Sequence, residues 1–151
     1  MIRIFLSIIL ILSFAFAEKK TVPIIIESNH FEYFNNQKLA IYKKDVVVRK
    51  GLFILYADLM KVFFDQAGNI KKIIAEGNVR FKKGEYSGSS DKATYEADKD
   101  LIKLIENAKV KKGNNVLEGD EIDYYLKEEK AIVIGKNKKV RTIIIPEETK
   151  K

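Results

Sequence analysis

Three aspartates recur in register along the chain: Asp58, Asp91 and Asp120. Each follows a glycine by seven residues, counted from Gly51, Gly84 and Gly113. Regularly spaced carboxylates are the raw material of general acid–base chemistry. Here they stand one per repeat, each beside a small residue: Ala57, Ser90 and Gly119. That context reads as turn formation, with the carboxylate accepting hydrogen bonds from nearby backbone N–H groups. His30 is the single histidine, and there is no cysteine. A thiolate metal site, a cysteine nucleophile and a disulfide framework lack their cysteines, and one histidine without cysteine argues against a metal site or a nucleophile–base pair. The sequence presents no catalytic constellation and implies no cofactor.

A second set of charged residues is cationic. Arg49-Lys50, Lys82-Lys83 and Lys111-Lys112 stand immediately before the same three glycines. Brought together, they would form a positive rim suited to phosphates or carboxylates. Left apart, they are solvated turns that protect sheet ends from aggregation. Both readings stay open on sequence alone.

These positions belong to one repeated unit. Its copies are Asp45-Val46-Val47-Val48-Arg49-Lys50-Gly51, Asn78-Val79-Arg80-Phe81-Lys82-Lys83-Gly84 and Asn107-Ala108-Lys109-Val110-Lys111-Lys112-Gly113. Self-similarity at a fixed spacing marks an array in which no single unit can bury its own apolar face. Period-two alternation around the copies marks strands.

Aligning the units yields one apolar face. Two and four residues after each Asp, or after Asn29 in the first unit, stand Phe31/Tyr33, Met60/Val62, Ala93/Tyr95 and Ile122/Tyr124. Before each break come Ala40/Tyr42, Ile73/Ala75, Ile102/Leu104 and Ile132/Ile134. After it come Val46/Val48, Val79/Phe81 and Ala108/Val110. Ile70, Ile73 and Ile74, like Leu101, Leu104 and Ile105, also have helix spacing. Those runs are short and flanked by turn residues, so the strand reading prevails. The expected architecture is all-β, about 14 to 16 short strands in hairpin-like units. The apolar face is either an ordinary packed core or a channel for apolar chains, and the pattern is the same for both.

The chain has 151 residues, 46% of them hydrophobic and 32% charged, with a net charge of +7. That is enough for one domain with a real core. Residues 1–17 read as a secretory signal peptide. Arg3 is the positive end, Ile4 to Phe14 the apolar stretch, and Ala15-Phe16-Ala17 the cleavage site. The expected mature domain is then 18–151. Export sets nucleic acid aside as a partner and leaves a membrane surface or an anionic lipid or glycan to account for the basic balance.

Ile24-Ile25-Ile26 and Ile143-Ile144-Ile145 are apolar runs near the two ends, with little charge to guard them. We expect Ile24, Ile26, Ile143 and Ile145 at sheet edges that pair with other chains. Unlike, unguarded edges favour heterologous pairing into open rows.

The order Ala57-Asp58-x-Met60-x-Val62, Ala75-Glu76-Gly77-Asn78-Val79 with Lys83-Gly84, Ser90-Asp91-x-Ala93-x-Tyr95 and Val116-Leu117-Glu118-Gly119-Asp120 resembles the OstA-like family of lipopolysaccharide export proteins. It is most similar to the family's soluble periplasmic bridge members. The resemblance spans nearly the whole mature chain. It implies a twisted open β-jelly roll in the periplasm of a Gram-negative (diderm) bacterium. It further implies binding of lipid A acyl chains on the inner face and head-to-tail self-association. The implied partners are lipopolysaccharide and the inner-membrane and outer-membrane components of the export system. Val140-Arg141-Thr142-Ile143 departs from the pattern, because it lacks the basic-Gly ending. Retention of residues 1–17 would instead imply the inner-membrane-anchored member of the same system. A structural β-repeat protein without lipid is the rival of another class.

Overall fold

The protein is described here by a computed structural model covering residues 22–147. The expected signal peptide, residues 1–17, lies outside the described residues. Ten strands occur among the described residues: β1 (Ile25–Glu27), β2 (His30–Phe34), β3 (Leu39–Lys50), β4 (Phe53–Phe64), β5 (Ile70–Lys83), β6 (Tyr86–Glu96), β7 (Leu101–Lys112), β8 (Asn115–Tyr125), β9 (Lys130–Ile134) and β10 (Arg141–Ile143). They form one antiparallel sheet in the order β1-β3-β4-β5-β6-β7-β8-β10. β2 also pairs with β3, and β9 with β8. The fold is all-β, and both segments with helix spacing are strands.

The count of ten corrects the expected 14 to 16. The predicted breaks do not end strands. They are bulges inside long ones. β3 places Lys44 and Asp45 opposite the single residue Asp58 of β4. β5 places Gly77 and Asn78 opposite Asp91 of β6. β7 places Glu106 and Asn107 opposite Asp120 of β8. All six bulge residues have positive φ, from 49° at Asn78 to 84° at Gly77. An extra residue per strand increases local twist and bends the strand. Three bulges in line make a seam across the sheet.

The recurring aspartates are therefore not in turns, which corrects the sequence reading. They sit in β4, β6 and β8 along the seam. Asn78 donates its side-chain amide to Asp58 at 3.1 Å, and Asn107 donates to Asp91 at 2.9 Å. Asn29 likewise donates to Asp45 at 3.1 Å. Asp120 accepts backbone N–H bonds from Lys136, Asn137 and Lys138. Those bonds hold its carboxyl below the usual range. The register of three copies thus repeats a seam contact.

The seam divides each long strand into two arms. The first arm runs toward the loops at 35–38, 65–69, 97–100 and 126–129. The second ends in two-residue hairpins that begin with Gly51, Gly84 and Gly113, with φ near +60°. A type II′ hairpin requires positive φ at that first position, which glycine adopts without a Cβ penalty. The apolar faces of both arms join one core cluster, including Val46, Val79 and Val110 from the second arm and Met60, Val62 and Ile122 from the first. Burying a side chain of this size contributes about 1.5–3 kcal/mol.

Candidate functional site

Between the two arms lies an apolar cavity of about 210 Å³. Val48, Leu55, Phe81 and Val79 supply the second-arm wall. Tyr42, Met60, Val62, Phe64, Ile70, Ile73, Ala75, Ala93, Thr94, Tyr95 and Leu104 supply the first-arm wall. Ile24 and Ile26 close it beside β1. The wall carries almost no polar surface. Burial raises the Tyr42 and Tyr95 phenols above their ordinary range, with Asp100 adding to the shift at Tyr95. Both rings therefore present neutral, mostly apolar surface to the cavity.

The expected inner-face residues divide into three groups. Val48, Met60, Val62, Ile73, Ala75, Val79, Phe81, Ala93, Tyr95 and Leu104 line the cavity. Val46, Ile102, Ala108, Val110, Ile122 and Tyr124 are buried in close-packed core beyond it. Phe31 and Tyr33 share a face with Tyr42 and Ala40, as register requires, but are 55% and 48% exposed. Only the Phe31 ring meets a described aromatic, Tyr42, at 5.0 Å between centroids. Among the described residues β2 is an edge strand, so its inner face has a strand neighbour on one side only.

One expectation is corrected. Ala131 and Val133, not Ile132 and Ile134, face inward on β9, opposite Tyr124 and Ile122. A one-residue slip of register exchanges the two faces. Ile26 lies in β1 and Ile24 directly before it, and both form part of the cavity wall. Leu55, Phe64, Ile70 and Thr94 belong to the wall, and none of them is assigned to the inner face by the sequence pattern. For Leu55, its place two residues before Ala57 is the alternation signal.

Each edge of the sheet is built from two short strands. β1 covers Val47–Arg49 of β3, and β2 covers Leu39–Lys43. β10 covers Val116–Glu118 of β8, and β9 covers Glu121–Tyr125. Ile143 pairs with Val116, and Ile145 donates its N–H to Asn115 Oδ1 at 2.7 Å. The two edges do not pair with each other among the described residues, so the sheet is open.

Residues 25–130 match the family described as LptA/(LptD N-terminal domain) LPS transport protein. The chain belongs to this family. The matched span runs from β1 to the start of β9 and contains the cavity wall from Ile26 onward. The LPS-assembly protein LptD of Vibrio cholerae serotype O1 (strain ATCC 39315 / El Tor Inaba N16961) is 39% identical over 82 residues. That alignment takes in 54% of this chain but only 10% of the relative's length. Among solved structures, LptH of Pseudomonas aeruginosa is similar with a TM-score of 0.69. It is described as the LptA homologous periplasmic component of the conserved lipopolysaccharide transport device. The likeness covers 83% of this chain and 96% of that one at 21% identity, which establishes a shared fold. Membership of the LptA/LptD N-terminal family agrees with the resemblance read from the repeats.

Proposed function

We propose that the protein is a periplasmic carrier of lipopolysaccharide, shielding lipid A acyl chains between its arms. It would pass them from the inner toward the outer membrane as one link in a head-to-tail row. The observation that carries this reading is the cavity between the arms, whose wall is predominantly apolar on both sides. Each buried methylene contributes about 0.8 kcal/mol, so acyl chains gain affinity there without a specific polar site. At about 210 Å³ the cavity holds part of a lipid rather than several chains. Small-molecule sites usually span about 300–1,000 Å³. The remaining chains would lie along the open groove as it continues into the next copy.

The strand directions support such a row. β1 and β2 run antiparallel to β3, β9 and β10 run antiparallel to β8, and five antiparallel steps separate β3 from β8. The first edge therefore runs opposite to the last. A second copy shifted along the sheet without inversion adds an antiparallel partner to each exposed edge. Exposed Phe31 and Tyr33 would then gain a neighbouring inner face carrying Ala131 and Val133.

Native mass spectrometry of the protein from Glu18 onward, with added lipopolysaccharide, tests the carrier. We expect a bound lipid mass that is lost in Ala93→Trp, which fills the cavity, and in Ile24→Asp, which places a charge at its exposed wall. Unfolded variants are recognised by circular dichroism. No bound lipid on the folded wild type overturns the proposal.

A further inference from the structure

Behind the cavity, the outer face of the sheet is charged unevenly along the strands. On its first arm, acids answer the cations. Glu32 holds Lys43 at 3.7 Å, Glu76 holds Lys92 at 3.7 Å, and Glu121 and Asp123 hold Lys103 at 3.2 and 3.5 Å. Lys72 stands cross-strand from Glu96. Lys61, between Ile41 and Ile74, is the exception. The second arm differs. Two rungs cross β5, β6 and β7 there: Arg80–Ser89–Lys109 and, nearer the hairpins, Lys82–Ser87–Lys111. They alternate with the buried Val79, Phe81 and Val110, which places them on the outer face.

The cations of these rungs are only partly engaged. Lys109 meets Glu118 at 3.9 Å, but Arg141 holds that carboxylate closer, at 3.0 Å. Arg80 donates one N–H to the Asn78 carbonyl at 2.7 Å and lies over the Tyr56 ring at 4.7 Å. The Lys82 and Lys111 ammonium groups and the Ser87 and Ser89 hydroxyls have no hydrogen-bond or ion-pair partner among the described residues. Where the β5 bulge meets β6, the same face opens into a groove of about 570 Å³. Its wall includes Asp58, Asn78, Arg80, Ser89, Asp91 and Asn107. Asp58 and Asp91 each accept from an asparagine through Oδ2. Their Oδ1 atoms have no hydrogen-bond partner among the described residues.

We propose that this groove binds a phosphorylated saccharide, with a phosphate held between Lys82 and Lys111 over Ser87 and sugar hydroxyls donating to Asp58 and Asp91. The inference does not rest on the acyl-carrier reading, because the groove opens on the face opposite the cavity. Three observations select the ligand. First, cations on β5 and β7 flank a short serine on β6, their backbones two strand spacings or roughly 9–10 Å apart. Two ammonium groups and a hydroxyl thus supply charge-assisted donors to one anion. Second, the unpartnered carboxylate oxygens stand at the seam end of the same groove. They repel a bare anion there, whereas a molecule with hydroxyls donates to them, since an ionised carboxylate only accepts. Third, the groove has the size of a small-molecule site, about 300–1,000 Å³. Its wall is mostly polar, which suits a sugar and not an acyl chain. A flat anionic surface would meet the same carboxylates and gain nothing from the concavity.

The test titrates the protein from Glu18 onward, at low salt, with deacylated lipopolysaccharide, which keeps sugars and phosphates but offers the cavity no acyl chain. The same saccharide after phosphatase treatment and inorganic phosphate are the comparison ligands. We expect the phosphorylated saccharide to bind about ten-fold or more tightly than either, the scale of a charge-assisted hydrogen bond. Lys82→Gln with Lys111→Gln should lose that preference. Lys61→Gln with Lys72→Gln, which removes the same charge from the outer face of the first arm, should keep it, as should Lys82→Arg with Lys111→Arg. Asp91→Asn should weaken binding of the saccharide and tighten that of inorganic phosphate, a split that a bare cationic patch does not give. Circular dichroism identifies folded variants, and Asp58→Asn gives the same split if Asp91→Asn does not fold. Equal losses from the two glutamine pairs, parallel changes for both ligands in the aspartate variants, or no saccharide binding to the folded wild type overturn the groove. Capture by phosphatidylglycerol vesicles without saccharide binding would make the patch a membrane contact and overturn it as well. Intact lipopolysaccharide separates the two readings: if the wild type binds it but not the deacylated form, the carrier stands and the groove falls.

Discussion

Asn78 bonds to Asp58 across the seam at 3.1 Å, from a backbone held at φ 49°. The amide serves two ends. Asparagine tolerates the left-handed region better than most residues, and its side chain locks the bulge to the preceding strand. Asp58→Ala should lower stability by about 1 kcal/mol, and Asn78→Gly should cost a similar amount without straining the backbone. A double-mutant cycle followed by urea melts should show that the two losses do not add. Additive losses would mean that the bond contributes nothing.

Lys44 and Glu106 occupy left-handed bulge positions with φ 70° and 67° and no glycine to relieve them. Lys44→Gly or Glu106→Gly should raise stability by about 0.5–1 kcal/mol. Gly77→Ala should do the opposite, by about 2 kcal/mol. Its φ is 84°, and a Cβ there would run into the Asp58 side chain. Thermal melting of the three variants gives the order directly.

Asp123 is buried beside Glu121 and Lys103 on the outer face of β8, with Ile132 across from it on β9. Its Oδ1 has no hydrogen-bond partner. Burial, and then the neighbouring Glu121, push its carboxyl up to about 6, while Lys103 opposes the shift. A carboxyl with a raised folded pKa binds its proton more tightly in the folded state. Stability should therefore rise as pH falls from above 6 toward the ordinary carboxylate range. Asp123→Asn should be more stable than wild type at pH 7.5, and the difference should shrink by pH 5. Melting temperatures across that window check the sign.

Gly88 lies under the Phe81 ring, and a Cβ there would overlap the ring carbons. Gly88→Ala should cost about 1–3 kcal/mol by overpacking. Phe81→Leu should cost stability in the wild type but recover part of the loss in Gly88→Ala. If Phe81→Leu is equally harmful in both backgrounds, the ring does not rest on Gly88.

Much of this was legible because side chains in a strand alternate strictly. Val46/Val48, Val79/Phe81 and Ala108/Val110 could be assigned to one face from the sequence alone, and all six are buried. The bulges were not legible as bulges. Gly77-Asn78 has the composition of a turn, and only the ladders on both sides keep β5 continuous through it. Lys44-Asp45 and Glu106-Asn107 lack even a glycine. The exposure of Phe31 and Tyr33 was hidden for a different reason. Alternation gives the face of a side chain, but the cover over that face comes from neighbours distant in sequence. The wall of the cavity was divided from the close-packed core by three-dimensional fit, which leaves no trace in period two.

The alternation of strand direction along the sheet has a consequence for how such a chain can change length. The smallest piece it can gain or lose without reversing one edge is a pair of strands. Excising residues 58–90 would join Ala57 directly to Asp91, fusing the first half of β4 to the second half of β6. The shortened sheet would retain its seam, its inner face and two edges of opposite direction. Length in this architecture is therefore quantised in hairpins. Duplication of one unit extends the roll while leaving its ends interchangeable with those of its parent.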